Sequence, residues 1–483
     1  MTMLGLLTAA FTLAACYMFA SPATALPSKH ASAPEKLVFA HFMVGIVDDR
    51  TSASDYDLDF QRAKAIGVDA FALNIGTDSF TNTQLDLAYE SADYNGMKVF
   101  ISFDFNWYSS GDISAIASKI ARYAAKPAQL KVDNKVFVSS FAGDGVNRIE
   151  LEAAAGTKLF FIPNFTPGIG DFGHIDGAFS WRAWPNNGNN KAPAHDHNTS
   201  TSDEDRVYLQ KLGTLSYLAP ISPWFFTHYG SEVSYSKNFV FPGDLLWYNR
   251  WNEILSLAPP FTEIISWNDY GESHYVGPLS SSHYDDGSSK WTMDMPHDGW
   301  LDMAVPFIAA YKAGAKSTEL KDFVTKDELV YWYRPTHKDI DCDSTDNTME
   351  SGNNASGNYF HGKPNGYETM ADSVFIVSLL TEDSQIEAKS GNNYQAFHAK
   401  SGVNAFSLPM GIGSQSFTVK RNGASILSGT SARDIINTCP CGIYNFNAYV
   451  GQLPPPKVIS QLRPDGLSKL TEGLRVACPV KTG

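Results

Sequence analysis

The chain has 483 residues with 37 basic and 51 acidic side chains, a net charge of −14, and no long basic run. Nucleic acid is therefore a poor partner, because phosphate neutralisation needs clustered Lys and Arg. Aromatic residues make up 13% of the chain, with 10 Trp and 22 Tyr, against only 18% charged residues. That composition suits recognition of a neutral polymer such as a polysaccharide by flat rings, although many of the rings must serve the core.

Residues 4–20 are almost wholly apolar but short for a membrane span, and Ala23-Thr24-Ala25 follows as a small-residue cleavage pattern. Residues 1–25 read as a secretory signal and 26–36 as an N-terminal linker, with the mature chain expected outside the cell and off the membrane. Cysteine usage agrees. Cys16 falls in the signal and leaves an even set of Cys342, Cys439, Cys441 and Cys478. A Cys439–Cys441 ring would be unusually tight, so Cys342 is expected to pair with one of them and Cys478 with the other. Their spacing lacks the short paired knuckles of a structural zinc site.

From residue 37 a regular alternation sets in. Apolar strand-like runs at 37–44, 70–75, 98–105, 135–141, 158–164, 177–181, 215–224 and 262–267 are interleaved with helical patterns at 57–67, 82–96, 113–126, 147–155, 204–212, 245–257 and 300–313. Eight strand units over residues 37–314 predict an α/β fold, a (β/α)8 barrel. From about residue 329 short alternating runs broken by Gly, Asn and Ser predict a β-sandwich-like, disulfide-bearing C-terminal domain over 315–483.

A barrel builds its active site where strands end and the following loops begin. Polar and aromatic residues gather at those ends: His41, Asn74, Asp104 with Asn106 and Trp107, Asp144, Asn164, Trp181, Trp224 and His228. The eighth strand breaks into Trp267, Asn268, Asp269, Tyr270, Glu272, His274 and Tyr275. Two carboxylates three positions apart among rings suit acid/base chemistry on a sugar; the plain alternative is a polar turn. The position at a strand end favours the catalytic reading, and Asp104, a lone carboxylate in the apolar run Ile-Ser-Phe-Asp-Phe, adds a third acid. Trp107, Trp181, Trp224 and Trp267 are expected to include the sugar-stacking platforms.

The segments Ala-His-Phe-Met-Val-Gly (40–45), Asp-Ala-Phe-Ala-Leu-Asn (69–74), Ile-Ser-Phe-Asp (101–104), Ser-Pro-Trp-Phe (222–225) and Ser-Trp-Asn-Asp-Tyr-Gly-Glu-Ser-His-Tyr (266–275) resemble glycoside hydrolase family 71, the fungal endo-α-1,3-glucanases or mutanases. The resemblance spans about residues 37–479. It implies secreted hydrolysis of α-1,3-glucan with inversion at the anomeric carbon and Asp104, Asp269 and Glu272 as the essential carboxylates; no cofactor or metal is expected. Reach would make Glu272 the acid. A monomer is expected, and the competing class is a non-catalytic glucan-binding wall protein, which would need rings but not ionisable groups on both faces of a glycosidic bond.

Other patterns carry less. Gly168-Ile-Gly-Asp-Phe-Gly173 matches a dinucleotide fingerprint by letter but precedes a strand rather than a helix. His195-Asp-His197 lies in an Asn-rich loop without a third ligand, and the acidic set Asp339, Asp341, Asp343 and Glu350 has Ser344 where a calcium loop needs Gly. Asn198 and Asn354 head glycosylation sequons, and Asn164 heads one expected to face the cleft.

Overall fold

The computed structural model describes residues 36–187, 199–230, 237–346, 362–457, 460 and 467–468. The expected signal, Asn198, Asn354, His195, His197, Glu350 and Cys478 lie outside them. Residues from Lys36 onward form one compact unit.

The first part alternates strand and helix. In chain order it runs β1 (Leu37–Met43), α1 (Asp57–Ala65), β2 (Ala70–Ile75), α2 (Thr81–Asn95), β3 (Lys98–Asp104), α3 (Ile113–Tyr123), β4 (Lys135–Phe141), α4 (Arg148–Ala155), β5 (Leu159–Pro163), β6 (Gly177–Phe179), α5 (Thr201–Leu212), β7 (Ser216–Ile221), α6 (Leu246–Leu257), β8 (Phe261–Ile264) and α7 (Gly299–Ala313). Local chemistry sets several ends. Asn147 caps α4 by accepting from the Ile149 and Glu150 N–H groups, Ser200 and Asp203 form a capping box at α5, and α2 stops at Gly96 in the left-handed region.

The strands pair in parallel in the order β5-β4-β3-β2-β1-β8-β7-β6, with the short strand Lys131–Val132 added antiparallel to β4. This sheet is curled. The Phe137 ring of β4 meets Phe39 of β1 at 5.3 Å and Phe261 of β8 at 5.7 Å, and Phe160 of β5 meets Phe261 at 5.9 Å, contacts a flat sheet would not allow. The hydrogen-bond ladder does not close into the full ring expected: between β5 and β6 the described residues give one backbone bond, from the Asp176 N–H to the Phe161 carbonyl. β6 is only three residues long, and a 3-10 turn at Phe172–His174 stands where a helix would precede it.

An antiparallel hairpin, Phe226–Tyr229 with Lys237–Val240, follows β7; no alternation in the sequence announced it. The last third forms two four-stranded antiparallel sheets. One runs Gly402–Pro409, Ser373–Leu380, Glu328–Tyr333, Tyr449–Leu453, and the other Asn393–Ala399, Ser384–Ser390, Gln415–Arg421, Ala424–Thr430. They meet through Val374, Ile376, Ile386, Phe417 and Val419, with the Tyr331 and Phe417 rings stacked at 4.1 Å. The opposite face of the first sheet shares a core with α6 and α7, where Trp332 packs on Trp300 at 5.9 Å. Cys342 is bonded to Cys439, one of the two partners expected for it.

Candidate active site

At the end of β8 the chain turns through Ser266–Tyr275 and delivers two carboxylates into one pocket. Asp269 and Glu272 are each less than a fifth exposed, and together with Met43, Ile46, Tyr229, Lys237, Gly271 and Asp286 they line a cavity of about 140 Å³. The loop is fixed from within. Ser266 Oγ accepts from the Asp269 N–H at 2.9 Å and meets His274 Nδ1 at 3.0 Å, while Asp269 Oδ1 accepts from the Glu272 N–H at 3.0 Å. Gly271 is required here, because a Cβ would lie 2.5 Å from the Tyr229 hydroxyl oxygen and 2.9 Å from Asp286 Oδ2.

The two acids are held differently. Glu272 is tied at both oxygens, to Lys237 Nζ on one side and to His274 Nε2 at 3.0 Å on the other, whereas Asp269 stands 3.7 Å from His274 Nε2. Burial works to raise the Glu272 pKa, but Lys237 and His274 outweigh it and hold the group down to about 2. Burial raises Asp269, with His274 opposing and the Glu272 charge adding to the rise. One member of the pair is thereby biased toward the carboxylate and the other toward the acid, the division that acid/base catalysis uses. Asp269, Glu272 and His274 each offer a ligand atom within 4.8 Å of the others, a donor set for a divalent cation; the Lys237 ammonium already supplies the positive charge such an ion would bring. The same distance means that the nearest oxygens of the two acids stand closer than the roughly 6.5–9.5 Å of an inverting pair.

A second polar group lies at the ends of β1–β3. Asp104 is 7% exposed, accepts from the Asn106 N–H at 2.8 Å and is hydrogen-bonded by Asn74; burial raises its pKa against these bonds and against nearby His41. Fully buried His41 pairs through Nδ1 with Glu263 of β8 at 2.7 Å, and its Nε2 has no hydrogen-bond partner among the described residues. Trp181, partly exposed, sets its ring edge-on to His41 at 4.8 Å and to His274 at 6.4 Å, and so links the two groups. Trp107 is 67% exposed at the rim.

The remaining candidates are structural in their placement. Trp224 and Trp267 are buried, with Nε1 donating to the Phe446 carbonyl and to Asp59 Oδ1 respectively, so neither offers a face to a sugar, contrary to expectation. Strand ends also point into the helix and C-terminal layers, and periodicity alone does not say which side a terminal ring takes. His228 is buried between Asn238 and Asp346. Tyr270 donates to the Pro278 carbonyl, Tyr275 donates to the Met295 carbonyl and stacks on His297, and Asn268 is bonded to both backbone polar groups of Met43. Asn164 accepts from the Ala142 N–H and donates to the Phe179 carbonyl, and Asp144 accepts from the Thr166 N–H. Sequence reasoning missed Glu263, Asp286, Tyr229 and Lys237. Glu263 carried a signal, a lone acid within an apolar strand like Asp104; Lys237 carried none.

A partly buried, oppositely biased carboxylate pair at the end of a curled parallel sheet is a glycoside-hydrolase type of site. The chain belongs to glycosyl hydrolase family 71, whose model matches residues 34–462. It is 42% identical to a mutanase of Penicillium rubens, Pc12g07500, over 89% of this chain and 92% of that one, and 36% identical to the glucan endo-1,3-alpha-glucosidase agn1 of Schizosaccharomyces pombe, over 87% and 95%. Among solved structures, the endo-alpha-mannosidase of Bacteroides thetaiotaomicron aligns with a TM-score of 0.41 at 12% identity, covering 58% of this chain and 99% of that one.

Proposed function

We propose that the protein is an α-1,3-glucan hydrolase, secreted and endo-acting, that cleaves with inversion at the mouth of an eight-stranded barrel over residues 37–314, with 315–483 as a β-rich second domain. Family membership and the relatives' names support the bond cleaved. The observation that carries the chemistry is the opposite bias of Asp269 and Glu272 within one pocket. The leader-like residues 1–25 support secretion, and no helix among the described residues is long and apolar enough to cross a membrane. The enzyme acts as a monomer without a cofactor.

In this reading Asp269 gives its proton to the glycosidic oxygen as the bond to C1 breaks, and Glu272, held ionised, takes a proton from the water that attacks C1 from the opposite face. These roles reverse the assignment that side-chain reach suggests, because a carboxylate paired with an ammonium and an imidazole is a poor proton donor. Inversion requires the pair to stand further apart than in the free site. Asp269, with the looser contact, is the member that turns away to admit sugar and water. Asp104, with Asn74, Asn106 and the Nε2 of His41, supplies hydrogen-bond groups for sugar hydroxyls, with Trp181 and Trp107 as rings beside them.

Two measurements test this. Proton NMR early in hydrolysis should show the new reducing end first as the β anomer, and α-first product would establish retention. An α-1,3-linked oligosaccharyl fluoride, which needs no acid for its leaving group, should still be cleaved by Asp269→Asn but not by Glu272→Gln; the opposite pattern would exchange the two roles.

A further inference from the structure

The two carboxylates sit on one loop, but the cation that binds one of them does not. Lys237 belongs to the hairpin after β7, where it faces Tyr229 across the two strands, and next to it Asn238 faces His228. The Phe226 N–H of the same hairpin donates to the Glu272 carbonyl at 3.0 Å, so strand and loop are joined at backbone as well as side chain.

The far side of the hairpin is gripped by the C-terminal part of the chain. His228 Nδ1 meets Asn238 Oδ1 at 2.7 Å across the strands, and its Nε2 meets Asp346 Oδ2 at 2.6 Å. The same Asp346 oxygen accepts from the Tyr444 N–H at 3.0 Å, and the Asp346 N–H donates to the carbonyl of Cys342, the residue bonded to Cys439. Backbone bonds from Asn365 to Asn238 and from Val240 to Asn365 fix the second strand. All these residues lie within the described segments, and His228 and Asp346 are buried, so their charge-assisted contact is protected from solvent screening.

We infer that Lys237 is a positioning residue for the hydrolytic reaction, clamping the Glu272 carboxylate in place, and that the C-terminal part sets where Lys237 stands through the Asp346–His228 contact. The inference rests on the reading of Asp269 and Glu272 as the acid/base pair. Lys237 is well placed for it: partly buried with its ammonium on Glu272, it also senses Asp269 and Asp286, and these acids raise its pKa against the effect of burial. The groups facing Glu272 are Lys237 and His274 in contact, with Asp269 and Asp286 around the same pocket. Removing Lys237 leaves the His274 ring as the side-chain partner of Glu272 among the described residues, so the ionised form of Glu272 loses its largest electrostatic support.

The experiment compares the full-length secreted enzyme with Lys237→Met, Lys237→Arg, Asp346→Asn and Glu272→Gln, following kcat, KM and the pH profile on soluble α-1,3-linked gluco-oligosaccharides. Lys237→Met should lower kcat at least tenfold with KM changed less than threefold, and should move the acidic limb of kcat/KM to higher pH. Lys237→Arg should restore part of both, and Asp346→Asn should move the limb the same way by a smaller amount. Wild-type kcat and an unmoved limb in Lys237→Met, with Glu272→Gln inactive, would overturn the clamp while leaving the acid/base pair intact. An active Glu272→Gln would overturn the pair itself. If Lys237→Met does not fold, Lys237→Arg and Asp346→Asn decide: an unmoved limb in both overturns the inference.

Discussion

Trp107 and Trp224 both stand at strand ends in the sequence pattern, after the third and the seventh strand, yet replacing each with alanine should break different things. Trp224 is 1% exposed, packs on Trp300 at 6.4 Å, donates Nε1 to the Phe446 carbonyl at 3.0 Å, and lies so close over Gly243 that a Cβ there would be 2.2 Å from its ring. Emptying such a site costs about 3–5 kcal/mol. With an unfolding entropy of about 2.1 cal/mol/K per residue over roughly 450 residues, that corresponds to a fall in Tm of about 3–5 °C. Trp107, at 67% exposed, should leave Tm within 1 °C; loss of a ring contact worth roughly 0.5–1.5 kcal/mol would raise KM about 2- to 12-fold. Thermal scans at one fixed rate and Michaelis kinetics on soluble α-1,3-linked oligosaccharides make the comparison. A Trp224→Ala enzyme with unchanged Tm and weakened substrate binding would refute the assignment of that ring to the core.

Arg250 is fully buried with two bonds to Asp205 and one to the Pro220 carbonyl, so Arg250→Met, which strands the Asp205 charge, should cost about 3–5 kcal/mol in denaturant unfolding, and the double variant Arg250→Met/Asp205→Leu should recover much of it. The Cys342–Cys439 bond closes a separation of 97 residues; Cys342→Ser/Cys439→Ser should lower stability by about 4–5 kcal/mol on the chain-entropy account, seen as a lower denaturant midpoint. A profile of kcat/KM against pH should rise as Glu272 ionises, through about pH 2, and fall as Asp269 loses its proton at a pH above the ordinary aspartate value, since the active form has the first ionised and the second protonated. Glu263→Gln should lower kcat with little change in Tm, because Gln keeps the volume but offers the His41 Nδ1 a weaker amide-oxygen acceptor in place of the carboxyl group.

How much of this could be read from the residues depends on the distance over which each signal acts. The alternation of β1 to α7 was legible because each strand or helix is specified by its own run of side chains, and Asp104, Asp269 and Glu272 were legible because an acid at the end of an apolar strand is conspicuous locally. The seam between β5 and β6 was not: whether a three-residue strand completes a ladder depends on the turn at Phe172–His174 and the bond from Asp176 to Phe161, which no periodicity encodes. Trp107, Trp181, Trp224 and Trp267 looked alike as strand-end rings, yet two are sealed by hydrogen bonds to Phe446 and Asp59, partners 222 and 208 residues distant. Short-range patterns locate a ring on an element; only the packing of other elements decides whether its face is covered.

Lys237 shows the same limit at the point where it matters for chemistry. In sequence it is one of 37 basic residues, at the first position of a short strand, with nothing in that strand to suggest a carboxylate partner. Its contact with Glu272 spans 35 residues, and the hairpin that carries it is held by Asp346 across 118 more. A cleft assembled from loops of one sheet can be foreseen from strand ends, whereas the ionisation of its acids depends on which charges other segments bring to within a few ångströms. In the proposed reading the division of labour between Asp269 and Glu272 rests on the hairpin that carries Lys237 as much as on the motif that contains both acids, whereas reach along the side chain, the one criterion available from sequence, points to the opposite roles.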